Sequence, residues 1–190
     1  MGSPAEDILV IKNGTLIDGT GGRPRPNGRI LIRGEKIAEV GPEASPDHRG
    51  GARVIDAAGG FILPGLIDGH VHLSMYQGVP PGIGFPTSAE FCTLRAAQNL
   101  MPILRAGFTS VSVPGGKWFV DATLRDAVNT EMLQGPRIFC AGRALTPPGG
   151  IFDNRPSGDG DLADDATGCC AARSMTLSST RADNARTGSI

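Results

Sequence analysis

Two of the chain's three histidines, His70 and His72, stand one residue apart in "LPGLIDGHVHL", residues 63 to 73. Side chains at i and i+2 of an extended segment project from one face. Two imidazole nitrogens placed that way can bind one divalent cation, at about 2.0–2.1 Å for zinc. Asp68 lies one step earlier on the same face, where it can orient a histidine or shape the surroundings of the ligands. Ile67 and Val71 are expected to point the other way, towards covering helices. The spacing alone also fits a satisfied structural pair, so the rest of the chain must decide.

The elements that would position the pair follow from the patterning. "FILPGLIDGHVHL" reads as one buried strand, followed by the Gly- and Pro-rich "SMYQGVPPGIGFP". Thr87 and Glu90 have the spacing of a capping box, and Phe91, Leu94, Leu100, Met101 and Leu104 recur at helical intervals. Pro102 should kink that helix, and Gly107 suits its C-terminal cap. "FTSVSV" is a second buried strand, "VDATLRDAVNTEML" a second helix stopped by Gly135-Pro136, and "RIFCAG" a third strand. Strand, helix, strand, helix, strand implies parallel pairing with right-handed crossovers. Such a run opens either a doubly wound sheet or a (β/α)8 barrel. In a parallel barrel the functional ends are the C-terminal ends of strands, where the pair sits.

Before residue 61 the chain reads as strands. "DILVIKNGTLIDG" carries β-branched runs broken by a turn-like Asn13-Gly14. "GRILIRGEKIAEVG" turns at Arg33-Gly34-Glu35, and "ARVIDAAGGFILPG" breaks at Gly59-Gly60. Short strands with Gly-rich turns suggest part of a β-sandwich, incomplete on its own.

The 190 residues carry a net charge of -1, which gives no case for nucleic acid or an anionic membrane as partner. No apolar run approaches the roughly 20 residues that span a bilayer. "MGSPAEDILV" has acidic residues where a signal peptide has basic ones, so a cytoplasmic location is expected. Cys92, Cys140, Cys169 and Cys170 form neither a disulfide framework nor a zinc ribbon.

The run "ILPGLIDGHVHL", following a β-module that ends in "VIDAAGG", resembles the amidohydrolase superfamily. "NGTLIDGTGG" and "IRGEKIAEVGP" are similar to that superfamily's composite sandwich. "AGFTSVSVPGG" and "GPRIFCAGRALTPPGG" resemble its imidazolonepropionase-like and prolidase-like branch. The resemblance covers residues 7 to 156. It implies a (β/α)8 barrel holding one or two divalent metals, usually zinc, that activate water to hydrolyse a C–N bond. It makes His70 and His72 ligands from the first barrel strand. It implies further groups from later strands: a carboxylated lysine, two histidines, and an aspartate serving as ligand and general base.

Those later groups have no counterpart, because the last lysine is Lys117 and the last histidine is His72. Lys117 itself follows the second barrel strand, which rules it out as the carboxylated lysine. Ile151 stands where relatives often carry a histidine, and "SVSVPGG" lacks the Arg-Asp many place before Gly-Gly. The tail 157–190 lacks Val, Phe, Tyr and Trp and any clear period, so it is expected to be disordered or the product of a frameshift.

Other residues read plainly. His48 belongs to a solvated loop. Cys92 and Cys140 read as core, and Cys169 and Cys170 as free thiols. Trp118 and Phe119 read as packing residues that could instead border a pocket. The expected architecture is therefore strands of a composite sandwich over 1–60, three β/α units of a barrel over 61–156, and the tail. The expected function is metal-dependent hydrolysis of an amide, cyclic amide or dipeptide C–N bond in a small-molecule substrate. The chain is expected to be truncated, inactive alone and open to homo-oligomerisation, with a non-catalytic remnant or interaction module as the alternative.

Overall fold

The computed structural model describes residues 7–41, 51–74, 88–116, 118–147 and 168–170. His48, Thr87, Lys117, Ile151 and most of the tail lie outside the described residues. The chain divides into two compact units, residues 1–64 and 65–190.

The first unit is built on β1 (Ile8–Leu16), whose Ile- and Val-rich sequence favours a pleated, half-buried surface. It pairs antiparallel with β2 (Arg25–Arg33), which in turn pairs antiparallel with β3 (Lys36–Val40). The β2–β3 hairpin turns at Gly34, where φ of +57° suits glycine, as the sequence anticipates. On its other side β1 pairs in parallel with β4 (Arg53–Asp56) and, further along, with β5 (Phe61–Ile62). Asn13-Gly14 is not the expected turn. The register of β1 on β2 skips between Ile11 and Gly14, and Asn13 adopts φ 60°, so the dipeptide is a bulge inside one continuous strand. Asn13 Nδ2 donates to Asp56 Oδ2 at 2.8 Å, and strands on both sides hold β1 straight through.

"FILPGLIDGHVHL" is likewise not one buried strand. β5 belongs to the first sheet, and a separate β6 (Leu66–Asp68) begins the second unit after Leu63-Pro64-Gly65. Phe61 and Ile67 are largely exposed among the described residues.

In the second unit β6, β7 (Phe108–Val113) and β8 (Arg137–Cys140) form a three-stranded parallel sheet in that order. The crossovers run through α1 (Ala89–Arg105) and α2 (Val120–Asn129). This confirms the expected alternation of strands and helices. Cys92, Ala96 and Leu100, four residues apart on α1, pack with Val111 and Val113 of β7, Leu124 of α2 and Ile138 and Cys140 of β8. Cys92 and Cys140 are core residues, as read from the sequence. The buried stripe of α1 includes the expected Leu100 but not Phe91 or Leu94. Phe91 and Leu94 face outward, because the helix presents its small residues, Cys92 and Ala96, to the sheet.

The helix boundaries also differ from expectation. Ser88, not Thr87, caps α1, its Oγ accepting the Phe91 N–H at 3.2 Å. The helix continues through Pro102 to Arg105, and Gly107 follows the cap at φ +94°. α2 stops at Asn129, well short of Gly135-Pro136, where the Thr130 hydroxyl donates to the Asp126 carbonyl at 2.8 Å and Glu131 turns to φ 60°. Two short strands complete the described residues. β9 (Ala144–Thr146) pairs in parallel with β10 (Gly168–Cys170). Of the tail, only Gly168–Cys170 is among the described residues, and it lies in this pairing. No helix among the described residues is long and apolar enough to cross a membrane.

Candidate metal centre

β6 ends at Asp68, so His70 and His72 lie just past the strand rather than on it. Burial increases along this segment. Leu73 is buried in the core and Val71 packs against it, while His70 is exposed and His72 half-buried. Two contacts hold this post-strand segment in place. The Val71 N–H donates to the Ser112 carbonyl of β7 at 2.9 Å, and Asp68 Oδ1 accepts the His70 N–H at 3.0 Å. Asp68 therefore orients the histidine through its backbone, by closing a tight turn, and its contact with the pair is not to an imidazole.

The two Nε2 atoms converge to 3.1 Å, with ring centroids 5.0 Å apart in an edge-to-face arrangement. Two nitrogens on one tetrahedral zinc, each at about 2.0–2.1 Å, stand about 3.3 Å apart, so the observed spacing fits a shared cation. His72 Nδ1 lies 2.9 Å from the Gly115 carbonyl oxygen. A carbonyl only accepts, so Nδ1 carries the proton and Nε2 keeps its lone pair for a ligand bond. The spacing of the pair and the tautomer of His72 both fit a divalent ion, which would take the place of the proton shared between the two Nε2 atoms. Among the described residues no third His, Cys, Asp or Glu joins the pair in a metal-holding group.

The loop carrying that carbonyl is tightly made. The Gly116 N–H donates to the Gly142 carbonyl at 2.9 Å, and Gly116 bridges to Arg143. A Cβ on Gly115 would lie 2.8 Å from that of Ala144. Trp118 and Phe119 follow, both with left-handed backbone at φ 47° and 60°. They pack against the core, and the Arg143 guanidinium lies 5.3 Å above the Phe119 ring. Packing is thus the role these aromatics show.

Sequence reasoning missed Asp121. It sits in the first turn of α2 with 1% of its surface exposed, and neither carboxylate oxygen has a hydrogen-bond partner among the described residues. Its Oδ2 fills the space a Cβ on Gly116 would need. Burial pushes the Asp121 carboxyl up to about 6, against the opposing pull of nearby His72. A signal was present: Asp121 shares a helical face with the core residue Leu124, an unusual place for a carboxylate.

Residues 61–182 match the model of the amidohydrolase family, whose members use divalent metal ions. The matched span runs beyond residue 156, so the likeness extends into the tail that the sequence reading sets apart. An adenine deaminase of Rubrobacter xylanophilus is 45% identical over 69 residues, which is 36% of this chain and 11% of that protein. A prolidase solved with N-methylphosphonate-L-proline superposes with a TM-score of 0.75 at 28% identity, over 96% of this chain and 45% of that one. A Xaa-Pro dipeptidase with methionine in its active site gives a TM-score of 0.79 at 25% identity, again over 96% and 45%. The chain spans less than half the length of these relatives.

Proposed function

This chain belongs to the amidohydrolase family, and on that premise we propose that His70 and His72 hold a divalent cation, zinc, for hydrolysis of a C–N bond in a small-molecule substrate. The observation that carries the reading is the convergence of the two Nε2 atoms at 3.1 Å with Nδ1 of His72 committed to the Gly115 carbonyl. The site lies beyond the C-terminal end of β6, the end at which parallel barrels place their chemistry. The sheet β6-β7-β8 with its two crossover helices is, in this reading, the opening of a (β/α)8 barrel.

When bound there, a divalent ion supplies Lewis acidity and brings the ionisation of water near neutral pH. The chain's own residues do the rest of what the geometry supports. The two imidazoles bind, the Gly115 carbonyl keeps His72 in the binding tautomer, and Asp68 aims His70 by closing its turn. The likeness to a prolidase and a Xaa-Pro dipeptidase over 96% of this chain supports a dipeptide or related amide as substrate, and the likeness to an adenine deaminase supports a purine as the alternative. No residue of the chain is assigned as general base.

A second reading, a metal-binding module without turnover, is favoured by one observation: among the described residues no third ligand-type side chain joins His70 and His72. Two imidazoles leave most coordination positions to water, so affinity is expected to be modest. Zinc competition against a chromophoric chelator tests the site. Wild-type chain should take one ion, and His70→Ala and His72→Ala should each weaken it at least tenfold. Equal binding by all three would overturn the metal assignment. Release of amino acid from a panel of dipeptides then separates the hydrolase from the silent module.

A further inference from the structure

We propose that Asp121 is a positioning residue for the metal-binding pair: its carboxylate, seated in the notch left by Gly116, holds the Gly115–Gly116 loop so that the Gly115 carbonyl fixes His72. The proposal rests on the metal reading above and adds to it a residue from another element, α2, that touches neither substrate nor ion.

Three observations meet at this point. First, Asp121 is 1% exposed and both of its oxygens lack a hydrogen-bond partner among the described residues. A buried carboxylate without partners is costly, so a chain that keeps one has a use for its charge. Second, the carboxylate occupies the space beside Gly116 where any side chain would put its Cβ. The glycine and the aspartate are therefore one fitted unit, and a larger residue at 116 would evict the acid. Third, the residue before that glycine supplies the carbonyl that accepts the His72 Nδ1 proton at 2.9 Å. The loop Asp121 supports is thus the loop that decides which His72 nitrogen is free. Asp121 also lies near enough to His72 for a charge on one to act on the other. An anion behind a ligating imidazole favours the positive charge that a bound cation brings.

A purely structural role is the competing account, since an acidic residue in the first turn of a helix is favoured by the helix dipole. That role would change unfolding resistance but leave His72 untouched. The test uses the full 190-residue chain, free of metal, labelled with 15N and held at pH 8, where an ordinary imidazole is neutral. The ring-nitrogen shifts of His72 report its tautomer. Wild type should show Nδ1 protonated and Nε2 bare. Asp121→Asn, which keeps the shape and removes the charge, should show a mixture of tautomers. Its zinc affinity should fall by about 10- to 100-fold, the usual effect of losing a group behind a metal ligand. Gly116→Ala, which keeps the acid but displaces it, should do the same, and it stands in if Asp121→Asn does not fold.

An unchanged tautomer together with zinc affinity within twofold of wild type in either variant would overturn the role of Asp121 and leave the metal reading standing. If instead wild-type chain binds zinc no better than His72→Ala, the metal reading fails. The tautomer measurement, made without metal, then still decides whether Asp121 positions His72.

Discussion

Nε2 of His70 and Nε2 of His72 face each other across 3.1 Å, although β6 has already ended two residues before the first of them. The pair is therefore held by point contacts beyond the strand: Asp68 on the His70 N–H, Ser112 on the Val71 N–H, and Gly115 on the His72 ring. Of these, only the Asp68 contact is made by a side chain and can be removed by substitution.

Asp68 should matter through one oxygen. Asp68→Ala removes the acceptor for the His70 N–H and frees the turn, so zinc affinity should fall several-fold, up to about tenfold. Asp68→Asn keeps a carbonyl oxygen in place and should stay within about twofold of wild type. Chelator competition on the two variants checks this. Equal losses would mean that the charge of Asp68, and not its turn, supports the site.

The buried stripe of α1 predicts opposite outcomes at two leucines. Leu100 is 1% exposed, and Leu100→Ala should cost about 2–5 kcal/mol of unfolding free energy. Leu94 is 70% exposed, and Leu94→Ala should stay within about 0.5 kcal/mol. Urea unfolding of both variants decides which leucine belongs to the core.

In the first sheet, Gly14 has no room for a side chain. A Cβ there would lie 2.6 Å from Cγ1 of the buried Ile62 and 3.0 Å from the Ala57 Cβ. Gly14→Ala should destabilise that sheet by about 1–3 kcal/mol. Amide exchange along β1 and β5, compared with wild type, would show whether the loss is local to this contact.

Asp121 should give the metal-free chain a distinctive pH dependence. Its carboxyl titrates near 6 when folded, against an ordinary 3.8. Below about pH 4 it is protonated in both states and costs nothing. As pH rises from about 4 to 6 the unfolded chain ionises first, so stability is lost, by up to about 3 kcal/mol. Above about pH 6 the loss is complete. Asp121→Asn lacks this loss, so the difference between variant and wild type should grow between pH 4 and pH 7 in the variant's favour. Urea midpoints at the two pH values measure it, and a constant difference would rule the burial effect out.

Much of this architecture was legible in the chain. The strand and helix order of residues 66–140 follows from apolar period and turn residues, and the hairpin at Gly34 from its dipeptide chemistry. Errors fell where neighbouring strands overrode local preference. Asn13-Gly14 would turn in isolation, but pairing on both sides of β1 makes it a bulge. Phe91 and Leu94 look like core by size, but the close approach of α1 to its sheet admits Cys92 and Ala96 instead. The break between β5 and β6 was hidden because both are apolar, and an apolar run does not show that its halves pair in two different sheets.

The sequence by itself placed two imidazoles one residue apart at the end of an apolar run, because their spacing is a local property of the chain. Through the motifs around them it also led to the expectation of a divalent cation at the pair. Only the tertiary structure decided which nitrogen of His72 is free and which carboxylate stands behind it. Those choices are made by Gly115 and Asp121, one on the loop after β7 and the other on α2. Residues so far apart in sequence acquire a relationship only when the parallel crossovers bring their loops to the same end of the sheet.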